Sequence, residues 1–153
     1  MSSIIGTDVV VQVGLVVNDL EKTGQKFAEF FGVECPPTCY SGDAEVVKGT
    51  YLGQPTTASC HMKFFETPSV QIELIQPDDT PSVWRQFLNE KGEGLHHIAF
   101  RVKSADEAIK AMEGKGYPVM QRGLYGDASG QFAYMDTQGD LKIILELLEN
   151  FEK

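Results

Sequence analysis

Two kinds of hydrophobic pattern alternate along this chain, and their order is repeated. In the first half, a β-branched apolar run over 9–17 predicts a strand, and apolar side chains at helical spacing predict a helix near 19–31. Residues 61–66 and 70–76 predict two more strands joined by a turn. A short amphipathic helix is predicted over 81–91, ahead of a glycine-containing linker.

The second half begins the same pattern again. Residues 95–102 predict a strand, 104–115 a helix, and 117–121, 132–135 and 142–148 three further strands. The repeat is longer than those of solenoid proteins and is present in only two copies, so it indicates a pair of βαβββ units rather than an array.

These elements predict one α+β domain over residues 1–153. Within it we expect a module over 8–77, a linker helix over 81–91 and a second module over 94–150. Composition agrees with a globular domain of this size, because 42% of the residues are hydrophobic and 23% are charged.

Similar signals mark the starts of the two module helices. Asn18 is followed three residues later by Glu21, and Ser104 by Glu107, which is the spacing of a capping box. Gly32 is expected to end the first helix, because glycine readily adopts the left-handed conformation found after helix ends.

The segment over 35–57 is rich in Gly, Pro, Ser and Thr and is predicted to be a long loop. Its length favours a mobile, lid-like role for residues 40–57 at the border of a binding site. Tyr40, Lys48 and Tyr51 lie in it and are either substrate contacts or solvated side chains.

Four polar residues occupy equivalent places when the two halves are overlaid. Glu73 and Glu146 each lie within a short apolar closing strand, and Gln12 on one opening strand falls opposite His97 on the other. Singly, each has an ordinary structural explanation. Together they favour a site, because two buried carboxylates that face each other need a cation between them. We therefore predict one divalent metal ion bound by these four residues.

The remaining histidines are expected outside the ligand set. Side chains alternate along a strand, so His96 should point away from His97 and act as a structural or supporting residue. His61 has no equivalent in the second half and is expected on the surface or in the lid. Trp84 and Phe87 lie at helical spacing and are expected to pack in the core.

Charge and targeting signals limit the cellular setting. The net charge of −9 argues against nucleic acid or an anionic membrane as a partner. The three cysteines fit free thiols in a reducing cytosol better than a disulfide framework. Neither a signal peptide nor a membrane-spanning segment is visible, so a cytoplasmic protein is expected.

The segments at 94–102, 72–77 and 145–147 resemble those of the vicinal oxygen chelate superfamily, and most closely methylmalonyl-CoA epimerase and its relatives. Class I glyoxalase is a more distant relative. The resemblance extends over about 9–149, except for 35–57. It implies a cupped mixed β-sheet with outer helices and a central divalent metal, with the same four ligands.

Two positions depart from the epimerase pattern. Gln12 stands where epimerases of this family usually have His, although a Gln, Glu, His, Glu ligand set occurs among class I glyoxalases. Met62 stands where some epimerases carry an additional Glu that acts as a second base.

The resemblance implies an epimerase or isomerase that transfers a proton at a carbon next to a carbonyl. Glu146 would be the base, and the metal would be Zn²⁺, Co²⁺, Ni²⁺ or Mn²⁺. A coenzyme A (CoA) thioester would require a basic rim, and the candidates are Lys48, Lys63, Arg101 and Arg122.

Three other functions remain open. A glyoxalase I-like lactoylglutathione lyase would act on a glutathione adduct, but Val16 stands where such enzymes often place an Arg that contacts glutathione. A binding protein without catalysis, as in antibiotic resistance, would not need the four donors. A ring-cleaving dioxygenase is the weakest candidate, because its iron usually has two His and one carboxylate as ligands. A small-molecule substrate and a homodimer are expected in every case.

Overall fold

The structure is a computed structural model that describes residues 1–152, so Lys153 of the predicted domain lies outside the described residues. No helix in this range has the length and apolar character needed to cross a membrane. The elements in chain order are β1 (Val10–Val16), α1 (Leu20–Phe31), β2 (Cys39–Tyr40), α2 (Ala44–Val47), β3 (Thr50–Tyr51), β4 (Gln54–Pro55), β5 (Cys60–Glu66), β6 (Gln71–Pro77), α3 (Val83–Lys91), β7 (Gly94–Arg101), α4 (Ala105–Glu113), β8 (Val119–Leu124), β9 (Gly130–Met135), α5 (Gln138–Leu141) and β10 (Ile144–Asn150).

All the strands belong to one mixed, curled sheet in the order β2-β5-β6-β1-β7-β10-β9-β8-β3-β4. The opening strands β1 and β7 are antiparallel neighbours at its centre. Each has the closing strand of its own half beside it in parallel, β6 beside β1 and β10 beside β7. The order β2-β5-β6-β1 is therefore repeated as β8-β9-β10-β7. This confirms the α+β fold with paired βαβββ units, while the exact domain boundaries stay a prediction.

The two module helices cover equivalent parts of the outer face of the sheet. Leu20 and Ala28 of α1 pack with Phe65 and Leu74 of β5 and β6. The corresponding face of α4 packs on β9 and β10 through Ala105, Ala108, Ile109, Met112, Ala133 and Leu147. Burial of these apolar stripes holds the helices on the convex side and leaves the concave side open for a ligand.

The linker helix α3 closes one end of the cup. Ser82 caps it by accepting a hydrogen bond from the Arg85 amide. Trp84 is buried, and its indole N–H donates to the Tyr134 hydroxyl over 3.0 Å. The Val83 amide donates to the Gln121 side chain over 2.9 Å. The start of α3 is thus joined to the second module.

The helix ends differ in part from the sequence prediction. The first helix is capped by Asp19, not Asn18, because the Asp19 carboxylate accepts from the Lys22 amide over 3.0 Å. The predicted Ser104 cap is correct, and Gly32 is in the left-handed conformation at the end of α1. The helix α4 ends at Glu113, two residues before the predicted end.

The segment over 35–57 is not one continuous loop. It contains the short strands β2, β3 and β4 and the four-residue helix α2. β2 pairs with β5 of its own half, whereas β3 pairs with β8 of the other half. Two-residue strands are too short to produce a periodic hydrophobic pattern, so sequence alone did not reveal them. The predicted turn after 135 likewise contains the short helix α5.

Candidate metal centre

The strand register places Gln12 and Glu146 in one row across the sheet. Ala99 on β7 is the Cα partner of Gln12 on one side and of Glu146 on the other. Residues in one row share a face of the sheet, and alanine leaves space between the two longer side chains. Gln12 and Glu146 therefore reach toward each other above Ala99.

The next row contains Glu73 and His97. Gly14 on β1 is the Cα partner of both residues. The imidazole of His97 lies directly over Gly14, because a Cβ atom added there would stand 2.0 Å from His97 Cε1. Glycine is thus required at residue 14 for the histidine to reach the centre of the cup.

Three of the four side chains converge on one atom of the fourth, His97 Nε2. It lies 2.9 Å from Gln12 Oε1, 2.9 Å from Glu146 Oε2 and 3.4 Å from Glu73 Oε1. All four residues are buried. The structure therefore brings the complete predicted set together, and the ligand role of these residues stays a prediction.

The electrostatics of the cluster leave room for a cation. Burial alone would lower the pKa of His97, but the charges and hydrogen bonds of Glu146 and Glu73 outweigh it and raise this pKa to about 9. Burial and the charge of Glu146 raise the pKa of Glu73. Glu73 Oε1 and Glu146 Oε2 are nevertheless buried without a hydrogen bond of normal geometry to any described residue. Glu73, His97 and Glu146 could therefore hold a metal ion, since their donor atoms lie within 4.8 Å of one another.

A hydrogen-bonded chain fixes the orientation of the Gln12 amide. Gln12 Nε2 donates to Gln71 Oε1 over 2.6 Å, and Gln71 Nε2 donates to Glu66 Oε1 over 2.5 Å. These three residues are consecutive Cα partners in one row. These hydrogen bonds therefore orient the Gln12 amide so that its oxygen, and not its NH₂ group, faces the cluster.

A second chain fixes the tautomer of His97. His96 Nε2 lies 3.2 Å from the Val83 carbonyl oxygen, and the two Nδ1 atoms of His96 and His97 are 2.9 Å apart. Only a neutral His96 that donates from Nε2 can accept at Nδ1 from His97. Burial and the nearby charge of His97 lower the pKa of His96 to about 3, which keeps it neutral. His97 Nε2 can then face the site with its lone pair.

The predicted orientation of His96 is wrong. Its ring contacts the rings of His97 and Tyr134, with centroids 5.2 and 5.5 Å apart. The β1–β7 ladder is irregular here, because Gly14 pairs with His97 and the next residue, Leu15, pairs with Leu95. A bulge of this kind breaks the alternation of side chains on which the prediction depended.

A cavity of about 320 Å³ opens above the cluster. Glu73 and Glu146 lie in its wall, and the rest is largely apolar or aromatic. The apolar and aromatic part includes Met62, Phe64, Trp84, Phe132 and Tyr134. A concave site that combines apolar and aromatic walls with grouped polar side chains is typical of small-molecule binding.

The segment predicted to be a lid touches this cavity with its first residues. Tyr40 and Ser41 lie in the cavity wall, and the backbone of Gly42 passes close to Gly126 of the other half. The rings of the exposed His61 and of Tyr40 are in contact, with centroids 5.4 Å apart. Tyr51 lies elsewhere and donates to Gln86. The lid-like mobility of residues 40–57 stays a prediction.

Of the four candidates for a basic rim, only Arg101 lies in the cavity wall. Lys63 lies on the opposite face, where its ammonium donates to the Pro36 carbonyl over 2.7 Å. Arg122 is paired with Asp106 at 2.6 Å. The remaining candidate, Lys48, ends helix α2 outside the cavity.

Sequence reasoning missed several cavity residues. Gln71 lies two residues before Glu73 on one strand, and this period of two could have revealed it. Trp84 was assigned to the core, which is correct, but the sequence did not indicate that it also borders the cavity. Tyr134 faces the site because its Cα partner is Glu146, and such a pairing becomes visible only once the register is known.

Comparisons with known proteins agree with this fold. Residues 11–134 match the family model described as the glyoxalase/bleomycin resistance protein/dioxygenase superfamily. An uncharacterized protein of Bacillus subtilis, YqjC, is 32% identical over 90 residues, which are 58% of this chain and 64% of that protein. The chain thus matches less than two thirds of that relative's length.

Two similar solved structures are methylmalonyl-CoA epimerases. The enzyme from Mycobacterium tuberculosis has a TM-score of 0.65 at 20% identity, with 95% of this chain and 92% of that chain covered. A variant of the Streptomyces coelicolor enzyme, in complex with 2-nitronate-propionyl-CoA, has a TM-score of 0.64 at 20% identity, with 94% of this chain and 98% of that chain covered. At this identity the likeness establishes the fold alone. Together with the family match, it shows that the chain belongs to the glyoxalase/bleomycin resistance protein/dioxygenase superfamily, as its resemblance to vicinal oxygen chelate proteins predicted.

Proposed function

We propose that this protein is a metal-dependent epimerase or isomerase that transfers a proton at a carbon next to a carbonyl, in the manner of methylmalonyl-CoA epimerase. The observation that carries the proposal is the buried pair of carboxylates, Glu73 and Glu146. One oxygen of each lacks a hydrogen bond and lies close to the Nε2 atom of His97. Such a donor set is costly to bury unless a cation neutralises it.

Gln12, Glu73, His97 and Glu146 would hold one divalent ion, for which Zn²⁺, Co²⁺, Ni²⁺ and Mn²⁺ are suitable. When bound, the ion would supply a Lewis acid next to a substrate carbonyl oxygen. Two carboxylates, a neutral imidazole and a neutral amide would bring the net charge of the loaded site near zero. Ser82 and Val83 at the start of α3 would keep His96, and through it His97, in place.

Glu146 would remove the proton from the carbon next to the carbonyl. Its side chain borders the cavity at the floor of the cup, where a substrate would lie. On β5 the cavity is bordered by Met62 and Phe64, which cannot accept a proton, and by Cys60, whose thiol pKa burial raises well above its ordinary value. The proposal therefore assigns both removal and return of the proton to a single carboxylate, which is sufficient for solvent exchange and for a proton shift on one face. Inversion at the carbon would also require the enolate to turn its other face toward Glu146.

The test is solvent deuterium wash-in at the α-carbon of methylmalonyl-CoA by metal-loaded protein. We expect exchange with wild type and a loss of about two orders of magnitude for Glu146→Gln, which keeps an oxygen donor but cannot act as the base. Glu113→Gln, at the exposed end of α4, is the matched control and should exchange as wild type does. Metal content is measured on every variant.

A glyoxalase I-like lyase is the second candidate, because it needs the same ligands and no second base at Met62. Lactoylglutathione formation from the methylglyoxal hemithioacetal is therefore measured in parallel. Val16 is fully buried in the core and offers no contact to glutathione, which counts against this candidate. Metal-loaded protein that is inert in both assays would leave a related substrate or a binding role without catalysis.

The proposal includes a homodimer in the cytoplasm and a small-molecule substrate. The three cysteines are all unpaired, which supports a reducing compartment. Several large apolar side chains are exposed, among them Phe30, Val9 and Leu95, and burial of such residues is a common basis of subunit contact. Sedimentation analysis of the metal-loaded protein tests the oligomer.

A further inference from the structure

Among residues 1–152, Arg101 is the one Lys or Arg in the wall of the cavity. It lies at the end of β7, two residues beyond Ala99, and its Cα partner Leu148 also borders the cavity. Its guanidinium group forms no hydrogen bond or ion pair with any other residue among 1–152. A cation at the edge of a largely apolar cavity is therefore available to a ligand.

Two further hydrogen-bond donors border the cavity in the same region. Asn150 lies two residues after Leu148 on β10, and Tyr125 follows β8. Burial and the charge of Glu146 raise the pKa of Tyr125 to about 12, against a smaller lowering by Arg101. Tyr125 thus keeps its phenolic proton at neutral pH and can donate it in a hydrogen bond.

The position of Arg101 relative to the candidate metal centre follows from the register. Glu146 pairs with Ala99 and Leu148 pairs with Arg101, so the two rows are one two-residue repeat apart. That repeat is roughly 7 Å along a strand. A compact ligand can reach from the cluster to the guanidinium, and a cavity of about 320 Å³ is at the small end of the usual range for ligand sites.

The outer part of the opening does not favour a phosphorylated carrier. A recess continuous with the cavity shares Tyr40 and Tyr125 with it and is bordered by Asp43, but by no Lys or Arg among residues 1–152. A carboxylate at this place, without a neighbouring cation among the lining residues, disfavours the phosphates of a CoA derivative.

From these observations we propose that Arg101, Tyr125 and Asn150 form an anion subsite and that the substrate is a small free organic acid. Its oxo end would lie at the cluster of Glu73 and Glu146, and its distal carboxylate would pair with Arg101. The assignment of the oxo end depends on the proposed function; the anion subsite does not. Under this proposal a CoA thioester or a glutathione adduct binds more weakly than the free acid.

Binding of two matched oxo acids tests the subsite. The probes are 2-oxoglutarate and 2-oxopentanoate, which have the same chain length and differ in the distal carboxylate. With Co²⁺-loaded wild type, calorimetry should show roughly tenfold or greater preference for 2-oxoglutarate, as expected for a charge-assisted hydrogen bond. Arg101→Gln should abolish the preference, and Arg101→Lys should retain part of it.

Arg122→Gln is the matched control, because Arg122 is paired with Asp106 and lies outside the cavity. It should bind both acids as wild type does. Equal binding of the two acids by wild type, or an unchanged preference in Arg101→Gln, would overturn the subsite. The free-acid substrate would be overturned if exchange of methylmalonyl-CoA saturated at a lower concentration than exchange of either acid and if Arg101→Gln left that concentration unchanged.

The two proposals can fail separately. If the binding preference is present and depends on Arg101, but deuterium wash-in at the carbon next to the oxo group is absent with every substrate, the proposed proton transfer is wrong and the anion subsite stands. If wash-in occurs but no preference depends on Arg101, the proposed function stands and the subsite is wrong.

Discussion

Gly14 is the residue whose replacement should damage the centre most selectively. A Cβ atom there would stand 2.0 Å from His97 Cε1, so Gly14→Ala must displace either the imidazole or β1. We expect a loss of about 1–3 kcal/mol in the free energy of unfolding, as is usual for overpacking. We also expect the affinity for Co²⁺ to fall by roughly tenfold or more. Urea denaturation and Co²⁺ titration measure the two effects.

Gly139→Ala is the control for this prediction. Gly139 lies in helix α5 with no atom within 4 Å of the position of its missing Cβ. Alanine is favoured over glycine within helices, so stability should be unchanged or slightly higher. A Gly14→Ala protein that binds Co²⁺ as tightly as wild type would show that His97 is not a ligand.

Gln71 links two elements, β6 and β1, and should determine which end of the Gln12 amide faces the metal. Gln71→Leu removes the acceptor for Gln12 Nε2, and the amide can then turn its NH₂ group toward the cation. We expect the affinity for Co²⁺ to fall by about tenfold, which is typical when a residue that orients a ligand is lost. The absorption bands of bound Co²⁺ should change as well, because they report the donor set.

An exchange of the neighbouring pair tests this explanation. The double variant Glu66→Gln with Gln71→Glu keeps the net charge and again offers an acceptor to Gln12, so Co²⁺ affinity should recover toward wild type. Glu66→Gln alone leaves that acceptor unchanged and should bind nearly normally. If the exchange variant is as weak as Gln71→Leu, the effect comes from packing and not from amide orientation.

The sequence predicts the long elements well because their signals are local. The apolar stripe of α1 and the cap at Ser104 are legible within a few residues. The bulge at His96 was not predicted, because it arises from the pairing of β7 with β1 rather than from any residue in β7 alone. The strand β3 was not predicted for the same reason, because its partner β8 lies about 70 residues further along the chain.

At the scale of the whole molecule, the internal repeat made the site predictable. Overlaying the halves pairs Glu73 with Glu146 and Gln12 with His97, and the pseudo-symmetric sheet brings these four together at its centre. The cavity above them could not be predicted, because its wall combines side chains from both halves, from α3 and from the segment after β2. Such a combination depends on the curl of the complete sheet.

A bound metal ion should stabilise the whole fold, and the stabilisation should increase with pH. In metal-free protein the pKa of His97 is raised to about 9 from an ordinary value of 6.5. A raised folded-state pKa contributes stability that is fully present below 6.5 and is lost as the pH rises through about 9. The raised pKa of Glu73 acts in the same direction, since its buried carboxylate becomes charged as the pH rises.

Metal binding has the opposite dependence on pH. The ion needs the lone pair of His97 Nε2, so it competes with the proton that occupies this atom below about pH 9. The apparent affinity should therefore rise by up to about tenfold per pH unit between pH 6.5 and 9, with about one proton released per ion bound. Because a ligand that binds only the folded state stabilises it by mass action, the difference in Tm between loaded and metal-free protein should widen over the same range.

His61→Gln is the control for this last prediction. His61 is exposed on β5, so its replacement should leave the pH profiles unchanged, whereas His97→Gln should flatten the profile of the metal-free protein. Thermal unfolding is measured at fixed free Zn²⁺ and with chelator, from pH 6.5 to 9. A constant difference in Tm across this range would mean that no proton leaves His97 when the ion binds. In that case the imidazole would be an ion-pair partner of Glu146 and not a ligand, and the proposed centre would lose its one nitrogen donor.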